Sequence, residues 1–316
     1  MTVNPKEAGA LCRLIEDNIS RVMVGKRPAI HQLMIALASS GHVLLEDVPG
    51  IGKTTMVSAL AKSLSLNFNR IQFTPDVMPS DVTGFNLYNP SNGKFEFQPG
   101  VIMTQLLLAD EINRTSPKTQ SALLEAMQEN QVTVDGTTYV IPQPFMVLAT
   151  QNPIEHVGTY TLPEAQLDRF MLKVSLGYPN YEEEMEILNR FSENKPLETL
   201  KAVASDQDVL WLREQAKLVY VSDAIRQYIV GLSRVTRDHQ DLELGISPRA
   251  SLMLMQAAKA AALLEGRDYV IPDDVKAMIV PTLAHRLIIK PEGRLRETTA
   301  ESILTRIIKS VPVSTR

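Results

Sequence analysis

Short apolar runs recur through the first half of the chain, and amphipathic segments with helical spacing fall between several of them. The runs occupy residues 43–45, 69–73, 106–109, 145–150 and 172–174. Apolar runs of this length are typical of strands covered on both faces, and strands that alternate with helices form mostly parallel sheets. The pattern therefore predicts an α/β fold that starts near Gly41, with helical pieces before it around a break at Val24-Gly25-Lys26.

Two segments with period-two alternation interrupt the α/β pattern. The first covers residues 85–97 and has Asn92-Gly93 in its connection, and the second covers residues 131–141 and turns at Asp135-Gly136. Such connections between alternating arms predict β-hairpins. Neither hairpin fits inside a tight strand–helix connection, so we expect both to project from the sheet as working loops.

The pattern changes after Tyr178-Pro179, where helical periodicity replaces the apolar runs. The strongest helical segments are 206–219, 222–236, 248–264 and 272–286. Gly266 stands where a helix C-terminal cap would be, and Pro272 at a helix start. The sequence therefore predicts two domains, an α/β core over residues 1–178 and an all-α domain over residues 179–316.

Composition narrows the functional classes. The chain has 316 residues, 44% of them hydrophobic and 22% charged, with a net charge of −4 and no long basic run. A dedicated nucleic-acid binder usually carries a basic stripe, so the charge pattern argues against nucleic acid as a partner. The single cysteine, Cys12, fits a reducing compartment. Without a secretory pattern or an apolar run of about 20 residues, we expect a cytoplasmic protein with no direct membrane insertion.

A glycine-containing loop separates the first apolar run from a helical pattern. The loop reads Pro49-Gly50-Ile51-Gly52-Lys53-Thr54-Thr55. Loop N–H groups and a helix N-terminus attract nucleotide phosphates, while Lys53 can reach the terminal phosphates and the Thr54 hydroxyl can ligate Mg²⁺. Asp47 stands where the strict pattern has glycine. We expect this departure to be tolerated, because the position leads into the loop and need not touch phosphate closely.

Polar residues also follow two later apolar runs. Asp110 and Glu111 end one run; the first suits Mg²⁺ coordination, and the second suits polarising a water for attack on phosphorus. The alternative is a core strand followed by solvated acids. Asn152 follows another run, where it could bond the attacking water or the γ-phosphate; the alternative is an Asn-Pro turn.

Sequence blocks spread over most of the chain carry a family resemblance. They are Gly41-His42-Val43-Leu44-Leu45-Glu46, Gln72-Phe73-Thr74-Pro75-Asp76, Pro79-Ser80-Asp81-Val82-Thr83-Gly84, Ala109-Asp110-Glu111-Ile112-Asn113-Arg114, Ala149-Thr150-Gln151-Asn152-Pro153, Leu162-Pro163-Glu164-Ala165-Gln166-Leu167-Asp168-Arg169-Phe170 and Ser247-Pro248-Arg249-Ala250. In this order they resemble the MoxR family of AAA+ ATPases. The resemblance implies a P-loop NTPase core with a helical lid, and the hairpins resemble the helix-2 insert and the pre-sensor-1 hairpin.

The resemblance also implies roles for individual residues. The phosphate loop would be Walker A, Asp110 and Glu111 would be Walker B, and Asn152 would be sensor 1. The segment Val24-Gly25 resembles one that lines the adenine pocket.

Two arginines receive roles in the same way. Arg169 would be the arginine finger that completes a neighbouring subunit's site, and Arg249 would be sensor 2, contributed by the lid. An arginine supplied in trans can stabilise phosphoryl transfer, and a helix start such as that at Arg249 favours anions. The alternatives are an ion pair between Arg169 and Asp168 or another acid, and a solvated Arg249.

The implied function is ATP-driven remodelling of protein clients with ATP and Mg²⁺. The resemblance implies a homo-oligomeric ring, expected to be a hexamer, whose lid and hairpins move on hydrolysis. Its clients would include proteins with von Willebrand factor A domains or metal-cofactor complexes. A DNA-acting motor and a nucleotide-gated interaction module are the alternatives. Arg114 could contact either the neighbouring subunit or a local acid and is kept as an interface candidate, and Gln72 is a candidate switch for Glu111.

Overall fold

The computed structural model describes residues 3–151, 159–193 and 195–313. In these ranges the helices are α1 (Pro5–Ser20), α2 (Arg27–Ala38), α3 (Lys53–Ser63), α4 (Pro79–Thr83), α5 (Pro117–Glu129), α6 (Glu164–Leu167), α7 (Tyr181–Glu193), α8 (Pro196–Thr199), α9 (Asp206–Leu218), α10 (Asp223–Arg237), α11 (Pro248–Leu264), α12 (Pro272–Leu283), α13 (Pro291–Leu295) and α14 (Ala300–Ser310). The strands are β1 (Val43–Glu46), β2 (Phe68–Gln72), β3 (Gly84–Asn89), β4 (Lys94–Pro99), β5 (Leu106–Asp110), β6 (Gln131–Val134), β7 (Thr137–Val140), β8 (Met146–Gln151), β9 (Leu172–Val174), β10 (Leu242–Leu244) and β11 (Ile288–Ile289).

The five predicted apolar strands form one parallel sheet, in the order β2-β5-β8-β1-β9. Leu45 lies between Thr150 on one side and Val174 on the other. Because all five strands run the same way, their carboxyl ends meet at one edge of the sheet. The predicted α/β fold is therefore confirmed.

Side chains alternate between two hydrophobic cores on the two faces of this sheet. Along β1, Val43 and Leu45 point into a core shared with α1, α2 and α3, whereas Leu44 points into a core shared with α5. Along β5, Leu108 points into the first of these cores and Leu107 into the second. Burial on both faces explains why these strands read as continuous apolar runs.

The two predicted hairpins are present and contact one another. They are the antiparallel pairs β3–β4 and β6–β7. The rings of Phe97 and Tyr139 stack with centroids 3.8 Å apart, and Asn86 Nδ2 donates to Asp135 Oδ2 at 2.9 Å. The hairpins therefore form one projecting unit.

Among the described residues after residue 178, the named elements are helical apart from the short strand pair β10–β11, which the sequence did not predict. Helices α9 and α11 pack on α1 and α2, so one hydrophobic core continues across residue 178. The division into domains at that residue stays a prediction. Within the described ranges, no helix is long and apolar enough to cross a membrane.

Candidate functional site

The glycine loop after β1 leads directly into the N-terminus of helix α3. Gly50 and Gly52 have φ of +86° and +93°, a conformation that favours glycine. Helix α3 begins at Lys53 directly after Gly52, with no side-chain cap on its N-terminus. Its first N–H groups are therefore available to an anionic ligand. The Lys53 ammonium donates to the Asp47 carbonyl at 2.8 Å.

One cavity joins this loop to the ends of three strands. Its lining residues are Pro49, Gly50, Gly52, Lys53, Thr54, Thr55, Arg70, Gln72, Asp110, Glu111 and Thr150. The structure thus brings together the phosphate loop and the acid pair that the sequence separates. Ile51 lies outside this cavity, in the wall of an adjoining one.

Asp110 and Glu111 are held by a threonine of the neighbouring strand. The Thr150 hydroxyl donates to Asp110 Oδ1 at 3.2 Å and accepts the Glu111 N–H at 2.9 Å. Arg70 Nε donates to Asp110 Oδ2 at 2.7 Å. Glu111 has φ of +57°, a left-handed conformation that costs a side-chain-bearing residue about 1–2 kcal/mol. The contacts to Thr150 stabilise this strained turn.

The Glu111 carboxylate is itself engaged. Gln72 Nε2 donates to Oε2 at 3.2 Å, and Arg114 donates to the same oxygen at 2.9 Å. The two residues that the sequence marked as a switch and an interface candidate therefore both contact Glu111 within one chain.

A second, more apolar cavity adjoins the phosphate loop. It is lined by Val22, Met23, Val24, Lys26, Pro49, Gly50, Ile51, Gly52, Thr55, Tyr178, Pro179, Glu184, Ile187, Leu188 and Phe191. Val24 lies in its wall. Gly25 lies beside it with φ of +70°, and a Cβ there would come within 2.1 Å of the Glu183 carboxylate. Gly25 thus permits the close approach of α7.

Oxygen donors suited to Mg²⁺ are present in the cavity of the phosphate loop. Thr54 and Asp110 both line it. Among the described residues no cluster of three metal-binding side chains occurs. Mg²⁺ commonly keeps several waters and takes one or two protein ligands plus phosphate oxygens, so this sparse donor set fits it.

A third cavity collects three arginines. Arg169, Arg213 and Arg249 line it, and it shares no lining residue with the phosphate-loop cavity of the same chain. Arg213 is buried and donates to the carbonyls of Leu37 and Phe145, and burial lowers its pKa to about 10. Arg249 therefore lies with the predicted finger, away from its own chain's phosphate loop.

Asp168, next to Arg169, forms an ion pair with Arg286. Arg286 Nε donates to Asp168 Oδ1 at 2.8 Å. Within the described ranges no carboxylate oxygen lies within 4.0 Å of the guanidinium groups of Arg169 or Arg249. The alternative of an ion pair between Arg169 and Asp168 is thus not what the structure shows.

His42, which also borders the arginine cavity, has a structural role. Its Nδ1 accepts the Val147 N–H at 3.0 Å, and its Nε2 lies 3.0 Å from the Met127 carbonyl. Burial lowers its pKa to about 4, so the ring is neutral.

Sequence reasoning missed Thr150 and Arg70 as site residues. Arg70 lies two residues before Gln72 on strand β2, so the two side chains share a face of the strand. This spacing was the signal that could have indicated Arg70. Thr150 aligns with Asp110 only through the register of β5 and β8. Asn152, the predicted sensor 1, lies outside the described residues.

Comparisons with known proteins identify the family. A profile described as "ATPase family associated with various cellular activities (AAA)" matches residues 42–172, and one described as "AAA lid domain" matches residues 234–307. The chain is 43% identical to Chaperone MoxR1 of Mycobacterium tuberculosis, over 93% of this chain and 80% of that protein. It is 30% identical to Protein MoxR of Methylorubrum extorquens, over 94% and 93%. The chain belongs to the MoxR family of AAA+ ATPases.

Other relatives agree with this assignment. The chain is 53% identical to the uncharacterized protein YeaC of Bacillus subtilis, over 94% of this chain and 93% of that protein. A crystal structure from Cytophaga hutchinsonii matches with a TM-score of 0.92 at 40% identity, covering 98% and 97% of the two chains. As a member of the MoxR family, the protein is an enzyme that binds nucleotide and hydrolyses ATP.

Proposed function

We propose that this MoxR-family ATPase is a chaperone-like remodelling factor that works as a homo-oligomeric ring, most simply a hexamer. The observation that carries the proposal is the separation of two half-sites in one chain. The phosphate loop and acid pair line one cavity, whereas Arg169 and Arg249 line another. Two half-sites in separate cavities become one complete site only when a second subunit supplies the arginines.

The nucleotide would span the two adjoining cavities. The base occupies the apolar cavity beside Val24, and the phosphates lie on the glycine loop against Lys53. Thr54 and Asp110 would hold Mg²⁺, which neutralises developing charge on the phosphates when bound. Arg70 now occupies one oxygen of Asp110 and must yield part of that contact.

Glu111 orients and polarises the attacking water. Gln72 and Arg114 both donate to one of its oxygens, so release of the Gln72 contact frees a lone pair of the carboxylate to accept a hydrogen bond from the water. Glu111→Gln should bind ATP normally and lose turnover by about a hundredfold or more. Unchanged turnover would refute this assignment.

A mixing experiment tests the shared site. Lys53→Ala subunits lack a working phosphate loop but keep both arginines, and Arg169→Ala subunits have the reverse defect. We expect each to be inactive alone and their mixture to recover ATPase activity, since one interface then holds Lys53 and Arg169 together. The double variant Lys53→Ala/Arg169→Ala is the control, because it cannot rescue Arg169→Ala. The same pairing with Arg249→Ala tests whether both arginines act in trans.

We also propose protein clients, in the cytoplasm, that include von Willebrand factor A domain proteins or metal-cofactor complexes. A relative named a chaperone and the joined, projecting hairpins support a protein partner. A purified von Willebrand factor A domain should stimulate the ATPase and be retained by Glu111→Gln in ATP. Stimulation by single-stranded DNA instead would favour a nucleic-acid motor.

A further inference from the structure

The residue that departs from the phosphate-loop pattern makes three long-range hydrogen bonds. Asp47 is buried just after β1. Its carboxylate accepts from Ser175 Oγ at 2.7 Å, from the Leu176 N–H at 2.6 Å and from the Gly177 N–H at 3.2 Å. These donors form the peptide that leaves β9, which is the neighbour of β1 in the sheet. Asp47 therefore ties the start of the phosphate loop to the start of the linker toward α7.

The main chain of Asp47 contacts the phosphate loop itself. Its carbonyl accepts from Lys53 Nζ at 2.8 Å, although Asp47 does not line the phosphate cavity. One residue thus touches the phosphate-binding lysine on one side and the linker on the other. A glycine here, as in the strict pattern, would leave the Leu176 N–H without its acceptor.

The linker is held from its other side by Lys26. Lys26 Nζ donates to the Gly177 carbonyl at 3.1 Å, so both polar groups of the Gly177 residue are engaged. Lys26 also lines the apolar cavity, and so do Tyr178 and Pro179, which follow directly. Three segments therefore meet at Asp47 and Lys26. They are the phosphate loop, the segment at Val24 and the linker, and together they enclose the proposed nucleotide site.

We propose that Asp47 is a positioning residue that couples the phosphate-binding loop to the base-binding cavity. This inference rests on the proposed placement of the nucleotide across both cavities. Asp47 touches neither base nor phosphate; it fixes the linker so that the wall formed by Tyr178 and Pro179 stands at the right distance from the loop. It therefore sets nucleotide affinity, and the chemistry at saturating ATP does not depend on it.

Calorimetric titration of Asp47→Ala with ADP and with tripolyphosphate, which has no base, tests the coupling. We expect the ADP Kd to rise about tenfold, because part of the free energy of the three lost hydrogen bonds holds the wall of the apolar cavity in place. The Kd for tripolyphosphate should change less than threefold, and kcat at saturating ATP less than twofold. Equal weakening of both ligands would mean that Asp47 merely supports the loop, and an unchanged ADP Kd would also overturn the proposal.

Partner variants and hydrogen exchange make the test specific to the bonds. Asp47→Asn, which keeps one acceptor oxygen, should give an ADP Kd between those of wild type and Asp47→Ala. Ser175→Ala should weaken ADP binding less, with no further effect in the Asp47→Ala background. The amides of Leu176 and Gly177 should exchange faster in Asp47→Ala; unchanged exchange contradicts the proposed contacts. If wild type bound no ADP, the proposed function itself would fail, which is a different result from wild type and variant binding equally.

Discussion

The hydroxyl of Thr150 provides the sharpest test of how the acid pair is held. Thr150 is 2% exposed, and its oxygen serves both acids, donating to Asp110 and accepting the Glu111 N–H. Thr150→Val keeps the shape of the side chain and removes both hydrogen bonds. Glu111 then holds a left-handed backbone conformation without the bond to its N–H.

The expected magnitude follows from these two contacts. An unsatisfied N–H in this setting costs about 1–3 kcal/mol, and the lost bond to the Asp110 carboxylate adds to it. We expect the free energy of unfolding to fall by about 2–3 kcal/mol. If about half of that energy positions Glu111 at the transition state, kcat falls about tenfold.

Steady-state ATP hydrolysis at saturating ATP and urea unfolding measure the two effects. Thr150→Ser keeps the hydroxyl and should retain kcat within about twofold, because both hydrogen bonds can re-form. Thr133→Val removes a threonine hydroxyl from the exposed hairpin and controls for the substitution itself. If Thr150→Val lost stability but kept full kcat, the hydroxyl would only hold the fold and the positioning argument would be wrong.

Three further predictions address the cation at Asp110, the close approach at Gly25 and the buried histidine. Arg70→Ala removes a cation that competes for Asp110, so half-maximal ATPase should need less Mg²⁺; a need for more would show that Arg70 assists binding. Gly25→Ala should raise the ATP KM by displacing α7, whereas Gly93→Ala, at φ of +69° with open space around it, should not. The pKa of His42 falls from 6.5 to about 4 on burial. The unfolded chain therefore binds the extra proton below pH 6.5, and wild type should lose about 2 kcal/mol of stability between pH 7.5 and 5 from this group. Urea unfolding of His42→Gln at the two pH values should not show this part of the pH-dependent loss of stability.

The sequence predicted those features whose cause is local. The buried strands were visible because apolar runs such as 106–109 can be recognised without knowing what they pack against. The phosphate loop was visible because the glycines at positive φ are themselves the motif.

What the sequence could not supply were relations set by sheet register and helix packing. Arg70 reaches Asp110 only because β2 lies beside β5, and Thr150 reaches it only because β8 lies on the other side. The cavity that Arg249 faces depends on how α11 packs on α1 and α2. The role proposed for Asp47 was hidden for the same reason, since the partners of its carboxylate lie just after β9, far along the chain.

The same packing bears on which parts of the molecule can move during hydrolysis. Arg286 donates to Asp168 and to the Phe170 carbonyl and contacts Met253 Sδ on α11, so it fastens the segment of Arg169 to the helix that carries Arg249. Rotation of everything after residue 178 as one body would break these bonds and expose the core shared with α1 and α2.

Helix α7 is less buried than the helices that pack on α1 and α2. From residue 181 to 191 no side chain is buried, and Leu188 is 63% exposed although it lines the apolar cavity beside the phosphate loop. Segments with few buried contacts are those that move at low free-energy cost. We therefore expect nucleotide-dependent movement to concentrate in the linker and α7, with Asp47 at its fixed end, while Arg169 and Arg249 move together as part of the same subunit body.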